Sequence, residues 1–198
     1  MRIERDGIVL RDYQLSDIDD EIRWTNTETD WFYEDTPWTT ITQVDPDELR
    51  ADMMEIMEEM TEDAIRLRFE IEVEGRHIGL LSSYYLDENY EQPSWDSIGP
   101  CKNAGENHTV RALGIEICEK DCWGKGIGAK ALSLFMDYYR SIGENRFLVE
   151  IWSGNKRMLG CAEKLGFKEV KRIKGAHMVD GIEYDALIWE KRFEFGYS

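Results

Sequence analysis

Three glycines alternate at Gly124, Gly126 and Gly128 in the stretch DCWGKGIGAKALSLFMDYY, and an apolar-periodic segment begins there without a break. Each glycine costs about 1 kcal/mol of helix propensity against alanine, so a run of them at a helix entrance needs a reason. The first backbone N–H groups of a helix have no internal partner, and the macrodipole makes that end partly positive. Glycines let an anion come close to those N–H groups without meeting a Cβ. A strand, a tight glycine loop and a helix N-terminus in that order read as a pyrophosphate cradle. Lys120, Lys125 and Lys130 add positive charge nearby. Two glutamates stand inside otherwise apolar strand-like runs, Glu116 in TVRALGIEICE and Glu150 in RFLVEIWS. A carboxylate in such a run is unusual unless it is paired or faces a cleft. In a cleft it can take a proton from a reacting group; otherwise it pairs with a nearby lysine or arginine.

Several anion-binding classes fall away. A P-loop needs GxxxxGK[ST], which is absent. GKGIGA fits the dinucleotide fingerprint G-x-G-x-x-A, but only 70 residues follow Gly128, and they hold two closing strands of alternating character. A Rossmann unit places this turn near the start of a long βαβ series. The nucleotide-binding module is therefore the weakest reading.

The elements that must position these residues follow from periodicity. Gly7–Tyr13 alternates as a short strand, and Ser16 is placed to cap a helix over residues 17–26. Residues 30–38, aromatic and acidic with Pro37, read as a loop. Asp45 caps a helix over residues 46–60 with Pro46 at its first position and Leu49, Met53, Ile56 and Met60 on one face. Residues 64–75 alternate strictly, with Ile65, Leu67, Phe69, Ile71 and Val73 on one side, and turn at Glu74–Gly75 into a hairpin partner. Residues 89–107 are loop-like. Strand 109–119 feeds the glycine loop, and the helix after it directs Ile127, Ala131, Leu134, Phe135 and Tyr138 to one side. Strand 146–153 follows, with Leu148, Glu150 and Trp152 on one face and Val149 and Ile151 on the other. Asn155 caps a helix with Met158, Leu159, Ala162 and Leu165 inward, ended by Gly166. Strands 167–179 and 182–193 turn at Asp180–Gly181 and close the chain.

Composition sets the frame. The chain has 198 residues with 42% hydrophobic and 12% aromatic content, globular values that support one core. Its formal charge of −17 divides into −19 over residues 1–100, which contain no lysine, and +2 over residues 101–198. A nucleic-acid partner would require a basic stripe. The acidic half reads either as a solvated surface or as a face toward a cationic substrate. No run approaches a membrane span and the start lacks a secretory h-region, so a cytoplasmic location is expected, with no membrane partner. Cys101, Cys118, Cys122 and Cys161 form no CxxC pair and no zinc spacing with His77, His108 and His177. No metal is expected, and the thiols are read as reduced and packed.

Trp123–Gly128, W-G-K-G-I-G, resembles the pyrophosphate-binding signature Q/R-x-x-G-x-G/A of the GNAT superfamily of acetyl-CoA-dependent N-acetyltransferases. Trp123 at the Q/R position is a variant seen around the ribosomal-protein alanine and spermidine acetyltransferases. SGNKRMLGCAEKLGFKEV, Ser153–Val170, is similar to the family's N-x-x-A-I-x-L-Y-E-K-x-G-F, with Asn155, Glu163, Lys164, Gly166 and Phe167 in register. The two motifs lie 27 residues apart, from Gly128 to Asn155, which accommodates one helix and one strand. Residues 28–44 and 87–108 carry no family motif.

The resemblance implies an α+β fold: a single GNAT-like domain over residues 1–198 with a mostly antiparallel twisted sheet, a splayed parallel strand pair and about four flanking helices. It implies acetyl-CoA as acetyl donor, seated where strands Leu113–Cys118 and Phe147–Trp152 splay. Its contacts would be Ile117, Cys118, Trp123, Gly124, Lys125, Gly126, Ile127, Gly128, Ala129 and Asn155, the last also readable as a plain N-cap. A backbone N–H around Glu116–Cys118 would meet the oxyanion. Glu150, five residues before Asn155, matches the general-base glutamate of the alanine branch, and Glu116 is its rival. The acceptor pocket would use the loop TETDWFYEDTPW, with Trp31, Tyr33 and Glu34 as contacts, unless that loop is a hydrophobic lid. The acceptor would be a primary amine of a small cationic molecule or a peptide, and a homodimer is compatible with the family. Ala162 departs from the pattern at the tyrosine that protonates the leaving thiolate, with Tyr184, Tyr138 or water as substitutes. That departure favours an alternative, a non-catalytic acyl-CoA-binding module.

Overall fold

The computed structural model describes residues 1–93 and 109–194. Three two-residue turns, Asp6–Gly7, Glu74–Gly75 and Asp180–Gly181, have both residues at positive φ. Turns of this kind match the right-handed twist of their flanking strands and place glycine where a side chain would be strained. They join β1 (Arg2–Arg5) to β2 (Ile8–Arg11), β3 (Arg68–Val73) to β4 (Arg76–Leu86) and β7 (Lys168–Val179) to β8 (Ile182–Arg192). The first strand, β1, is absent from the sequence-based expectation, although Asp6–Gly7 carries the same signal as Asp180–Gly181. With β5 (Val110–Ile117) and β6 (Arg146–Trp152), these strands form one eight-stranded sheet in the order β1-β2-β3-β4-β5-β6-β8-β7. Every neighbouring pair is antiparallel except β5 and β6. The mostly antiparallel sheet with one parallel pair is the expected one.

Five helices stand among the described residues: α1 (Ile18–Asn26), α2 (Phe32–Asp35), α3 (Pro46–Glu59), α4 (Ile127–Ser141) and α5 (Lys156–Leu165). The extra one, α2, is a single turn inside the aromatic stretch expected to be a loop. Ser16 does not cap α1. The chain enters through a 3₁₀ turn, Leu15–Asp17, where the buried Asp17 carboxylate takes the Gln14 N–H at 2.7 Å and both ends of the Arg11 guanidinium at 2.7 Å each. Asp45 caps α3 as expected, accepting from the N–H groups of Asp47 and Glu48. The apolar face of α3 is not a core face, however: Met53 is buried while Ile56 is 50% and Met60 43% exposed. Periodicity gives an amphipathic stripe but not what covers it. Strand β3 also begins later than the alternation suggests, because the Arg66 guanidinium gathers the carbonyls of Thr61, Glu62 and Ala64 and ties them to Asp12. Part of the loop-like stretch 89–107, with Cys101 and His108, lies outside the described residues.

Helices α4 and α5 cover one sheet face. Ile127, Ala131, Leu134 and Phe135 of α4 and Ala162 of α5 form one core with Leu113, Val149 and Ile151, against which Ile115 and Ile117 pack. The alternate residues Ala112 and Leu148 belong to a second cluster with Leu86, Val110 and Ile188, against which Tyr84 packs. Glu116 and Glu150 therefore emerge on the same sheet face, the one opposite α4 and α5, because side chains alternate along a strand.

Candidate active site

The parallel ladder between β5 and β6 contains only Arg111↔Phe147 and Ala112↔Leu148. β5 stays paired with β4 as far as Ile117, and β6 stays paired with β8 as far as Trp152. The two strands thus diverge after Ala112 and Leu148, each held by its outer neighbour. The gap belongs to a cavity of about 820 Å³ lined from both sheet faces, within the usual size range of small-molecule sites.

Which backbone groups face the gap follows from strand alternation. The Cys118 N–H donates to the Ile78 carbonyl at 2.9 Å, so the groups of Glu116 and Cys118 point to β4, and those of Leu113, Ile115 and Ile117 point into the opening. The Ile117 carbonyl already accepts the Trp123 indole N–H at 2.6 Å. The free donors on this edge are the N–H groups of Ile115 and Ile117, and a backbone donor drawn from Glu116–Cys118 narrows to Ile117. Cys118 is buried with its N–H taken, and it does not line the cavity.

On the α4 side the cavity is floored by the glycine loop. Gly124 and Gly126 have φ of +73° and +77°, a region L-residues rarely adopt. Gly126 is the N-cap of α4 and no side chain caps the helix. The first closing bond is Lys130 N–H to the Gly126 carbonyl, which leaves the N–H groups of Ile127, Gly128 and Ala129 without helical partners. At Gly128 a Cβ would make only ordinary contacts, 3.6 Å from Ile117 Cδ1, 3.7 Å from Ile115 Cδ1 and 3.9 Å from Cys161 Sγ, so packing on β5 does not itself require glycine there. Trp123, Gly124, Gly126, Ile127, Gly128 and Ala129 all line the cavity.

The cations at this loop are not those the sequence suggested. Lys120 pairs with Asp30 at 2.5 Å, Lys130 reaches the Asp6 carbonyl, and Lys125 does not line the cavity. Lys164 and Arg157 of α5 line it instead, and a Cβ on Gly126 would stand 3.7 Å from Lys164 Nζ. Lys164 belongs to the second motif, so its arrival over the first is the signal that was available in the sequence.

On the opposite face the cavity is acidic. Burial pushes the Glu116 carboxyl up to about 7, and the neighbouring Asp35 carboxylate adds to the effect. Burial also raises Asp35 above the usual carboxylate range. Glu150 is exposed to the cavity and accepts the Tyr84 hydroxyl at 2.6 Å. Among the described residues no lysine or arginine pairs with Glu150, which removes the ion-pair reading left open by the sequence.

The aromatic loop is tied down at this end of the gap. The Trp152 indole N–H and the Asn155 amide both donate to the Glu34 carbonyl, at 2.8 and 2.7 Å, and the Glu34 carboxylate pairs with Arg157. Asn155 also caps α5 by accepting the Met158 N–H at 2.9 Å, so both faces of its amide are in use. Trp38 stacks on His177 with ring centroids 3.5 Å apart and meets Trp152 edge-on at 5.9 Å. Trp31 and Glu34 line the cavity, whereas Tyr33 is 62% exposed and does not. Tyr138 takes the Arg66 N–H with its hydroxyl, and Tyr184 packs edge-on to Trp152; neither lines the cavity. Ala162 is wholly buried in the core, so the residue at the family's tyrosine position does not reach the cavity. Gly154 carries the Trp152 indole directly, since a Cβ there would sit 1.6 Å from the ring. Gly154→Ala is expected to eject this indole and leave the Glu34 carbonyl with the Asn155 amide as its one remaining donor of the two, with the fold intact; near-ultraviolet circular dichroism checks it.

Among the described residues no helix is long and apolar enough to cross a membrane, and no group of His, Cys, Asp or Glu side chains could hold a metal ion. The sequence pattern of the acetyltransferase (GNAT) domain matches residues 8–168. No curated protein sequence matches the chain. Solved structures do. An acetyltransferase from Salmonella typhimurium that modifies the N-terminal serine of the 50S ribosomal subunit protein L7/L12 superposes with a TM-score of 0.67 at 14% identity, covering 98% of this chain and 100% of its own. RimL, the ribosomal L7/L12 alpha-N-protein acetyltransferase in complex with coenzyme A, gives 0.69 at 15% identity, with 98% of each chain covered. The microcin C7 self-immunity acetyltransferase MccE, in complex with acetyl-CoA and AMP, gives 0.64 at 17% identity over 96% of this chain and 94% of its own. These likenesses speak to the fold.

Proposed function

The chain belongs to the GNAT acetyltransferase family, and from that premise we propose that residues 1–198 act as one cytoplasmic enzyme moving an acetyl group from acetyl-CoA to a primary amine of a small cationic molecule or a peptide. The observation that carries the reading is one continuous cavity with opposite character at its two faces. The unpaired N–H groups of Ile127, Gly128 and Ala129, with Lys164 and Arg157, suit a pyrophosphate. Asp35, Glu116 and Glu150, walled by Trp31, Trp38 and Trp152, suit a cation. Acetyl-CoA, when bound, supplies the thioester carbonyl. The N–H groups of Ile115 and Ile117 on the open edge of β5 would hold the pantetheine arm and, at Ile117, the oxyanion.

An alkyl amine, with a pKa of about 10.4, arrives protonated and has no lone pair. It must lose one proton before attack. Glu116 is the group for this step, since a base works best with a pKa near the operating pH. The acidic wall favours an acceptor with positive charge, whether a small molecule or a peptide. Ala162, the residue that favoured a non-catalytic acyl-CoA-binding module, lies in the core and leaves protonation of the thiolate to another group.

The test is thiol release from acetyl-CoA across polyamines, aminoglycosides, amino acids and short peptides. With the best acceptor, kcat should rise with pH through about 7 and level off, because the carboxylate form is the active one. Glu116→Gln should lower kcat by about 10²-fold or more and abolish that inflection. A glutamine variant with the wild-type profile would remove Glu116 from the chemistry.

A further inference from the structure

Attack on the thioester leaves two proton transfers after Glu116 has done its part. The nitrogen of the tetrahedral adduct carries a second proton to lose, and the departing thiolate has one to gain. Position 162 supplies no hydroxyl for the second transfer, so another group in the cavity must be considered.

Tyr84 stands at the vertex of the gap. It pairs with Ala112 in the β4–β5 ladder, and Ala112 pairs with Leu148 in the last step of the β5–β6 ladder. Glu150 is two residues beyond Leu148 on the same face of β6. The 2.6 Å bond from the Tyr84 hydroxyl to Glu150 Oε2 therefore crosses over β5 from one of its neighbours to the other, a span of two strand spacings, about 9.6 Å. The residues on this face of β5 beneath the crossing are Ala112 and Gly114, with side chains small enough to let a phenol ring pass. A Cβ on Gly114 would stand 2.6 Å from Ser82 Oγ, so a larger residue would require that hydroxyl to turn away. Burial, with Glu150 and Asp35 as anionic neighbours, raises the phenol above its usual range and so well above a thiol; Tyr84 can therefore pass its proton to the thiolate only as Glu150 returns one to the same oxygen.

We propose that Tyr84 and Glu150 form a single proton relay for acetyl transfer, Tyr84 giving its hydroxyl proton to the leaving thiolate while Glu150 takes the proton lost by the adduct nitrogen and returns it to the Tyr84 oxygen. The inference rests on the acetyl-transfer reading above. The bookkeeping closes: the N–C bond forms, the C–S bond breaks with its electron pair going to sulfur, and the sulfur is capped by one proton. The ammonium acceptor loses two protons in all, one through Glu116 to solvent and one through the relay to the thiol. Tyr84 and Glu150 end each turnover as they began. Tyr90 and Ser82 also line the cavity, but among the described residues neither has a hydrogen bond to a carboxylate there to return its proton.

The decisive measurement compares two acetyl donors. With acetyl-CoA, whose thiol has a pKa near the usual thiol value of about 8.5, Tyr84→Phe should lower kcat about 10²-fold. With an S-aryl thioacetate, whose thiolate leaves without a proton, the same variant should lose less than about threefold relative to wild type by the same reasoning. Stabilisation by coenzyme A in thermal unfolding should be unchanged, which shows that the cradle and fold are intact. Glu150→Gln should cost a similar factor with acetyl-CoA, and the double variant little more than either single one, since the two residues act as a unit. Equal losses with both donors, additive losses in the double variant, or no loss at all would overturn the relay. Wild type that binds coenzyme A yet releases no thiol with any amine would instead overturn the acetyl-transfer reading beneath it.

Discussion

Arg111→Ala is expected to cost about 3–5 kcal/mol of stability, because it strands a buried carboxylate; that is a large part of the 5–15 kcal/mol typical of a whole domain. The Arg111 side chain is fully buried. Its guanidinium gives two bonds of 2.6 Å to Glu144, one of 3.0 Å to Ser83 Oγ and one of 2.6 Å to the Tyr85 hydroxyl. It lies 3.8 Å from the Tyr139 ring centroid and 4.7 Å from that of Tyr85. Ser83 and Tyr139 join hydroxyls at 2.6 Å, and Tyr139 donates on to the Arg66 carbonyl. One guanidinium thus fastens β4, β5, α4 and the segment leading to β6, at the residue where β5 last pairs with β6 before Ala112. Urea unfolding should show the midpoint falling sharply. Arg111→Met combined with Glu144→Leu should recover much of the loss, because an apolar pair of similar volume leaves no charge buried alone. If Arg111→Ala unfolds at the wild-type midpoint, the network contributes nothing to stability.

Much of the site was legible because its signals are local. A glycine loop before a periodic helix, an asparagine five residues after a glutamate in a strand, and pleat alternation placing Leu148, Glu150 and Trp152 together are all read over a few residues. What failed needed long-range register. The resemblance implies Cys118 along with Ile117 as a cofactor contact, yet which of two neighbours turns its N–H outward depends on which one meets Ile78. Lys125 lies beside the loop in sequence, but Lys164 comes over Gly126 through the packing of two helices. Tyr84 has no motif; its bond to Glu150 depends on a β4–β5 register that brings it opposite Ala112. The exposed Ile56 of α3 and Met60 just past its end show the converse limit, an amphipathic pattern that holds in the helix and meets the core only at Met53.

Gly126→Val is expected to abolish coenzyme A binding while leaving the protein folded. Gly126 sits at φ +77° as the N-cap of α4, where a β-branched residue is a genuine outlier and the left-handed backbone costs about 1–2 kcal/mol. That strain is affordable to a domain but not to a site. Relieving it rotates the peptide that aims the Ile127, Gly128 and Ala129 N–H groups, and the added side chain grows toward Lys164 Nζ, 3.7 Å from the Cβ position. The anion then loses directed donors and a cation together. Calorimetric titration with coenzyme A should show affinity falling by about 10²-fold or more, equivalent to roughly 2.7 kcal/mol, with a wild-type circular dichroism spectrum. Gly124→Asn is the informative companion. Its φ of +73° is one that asparagine tolerates, and a Cβ there meets nothing within 4 Å, so binding should fall only slightly. Retained affinity in Gly126→Val would mean that the pyrophosphate is held by Lys164 and Arg157 without the helix terminus, and the glycines at 124 and 126 would then serve only the turn.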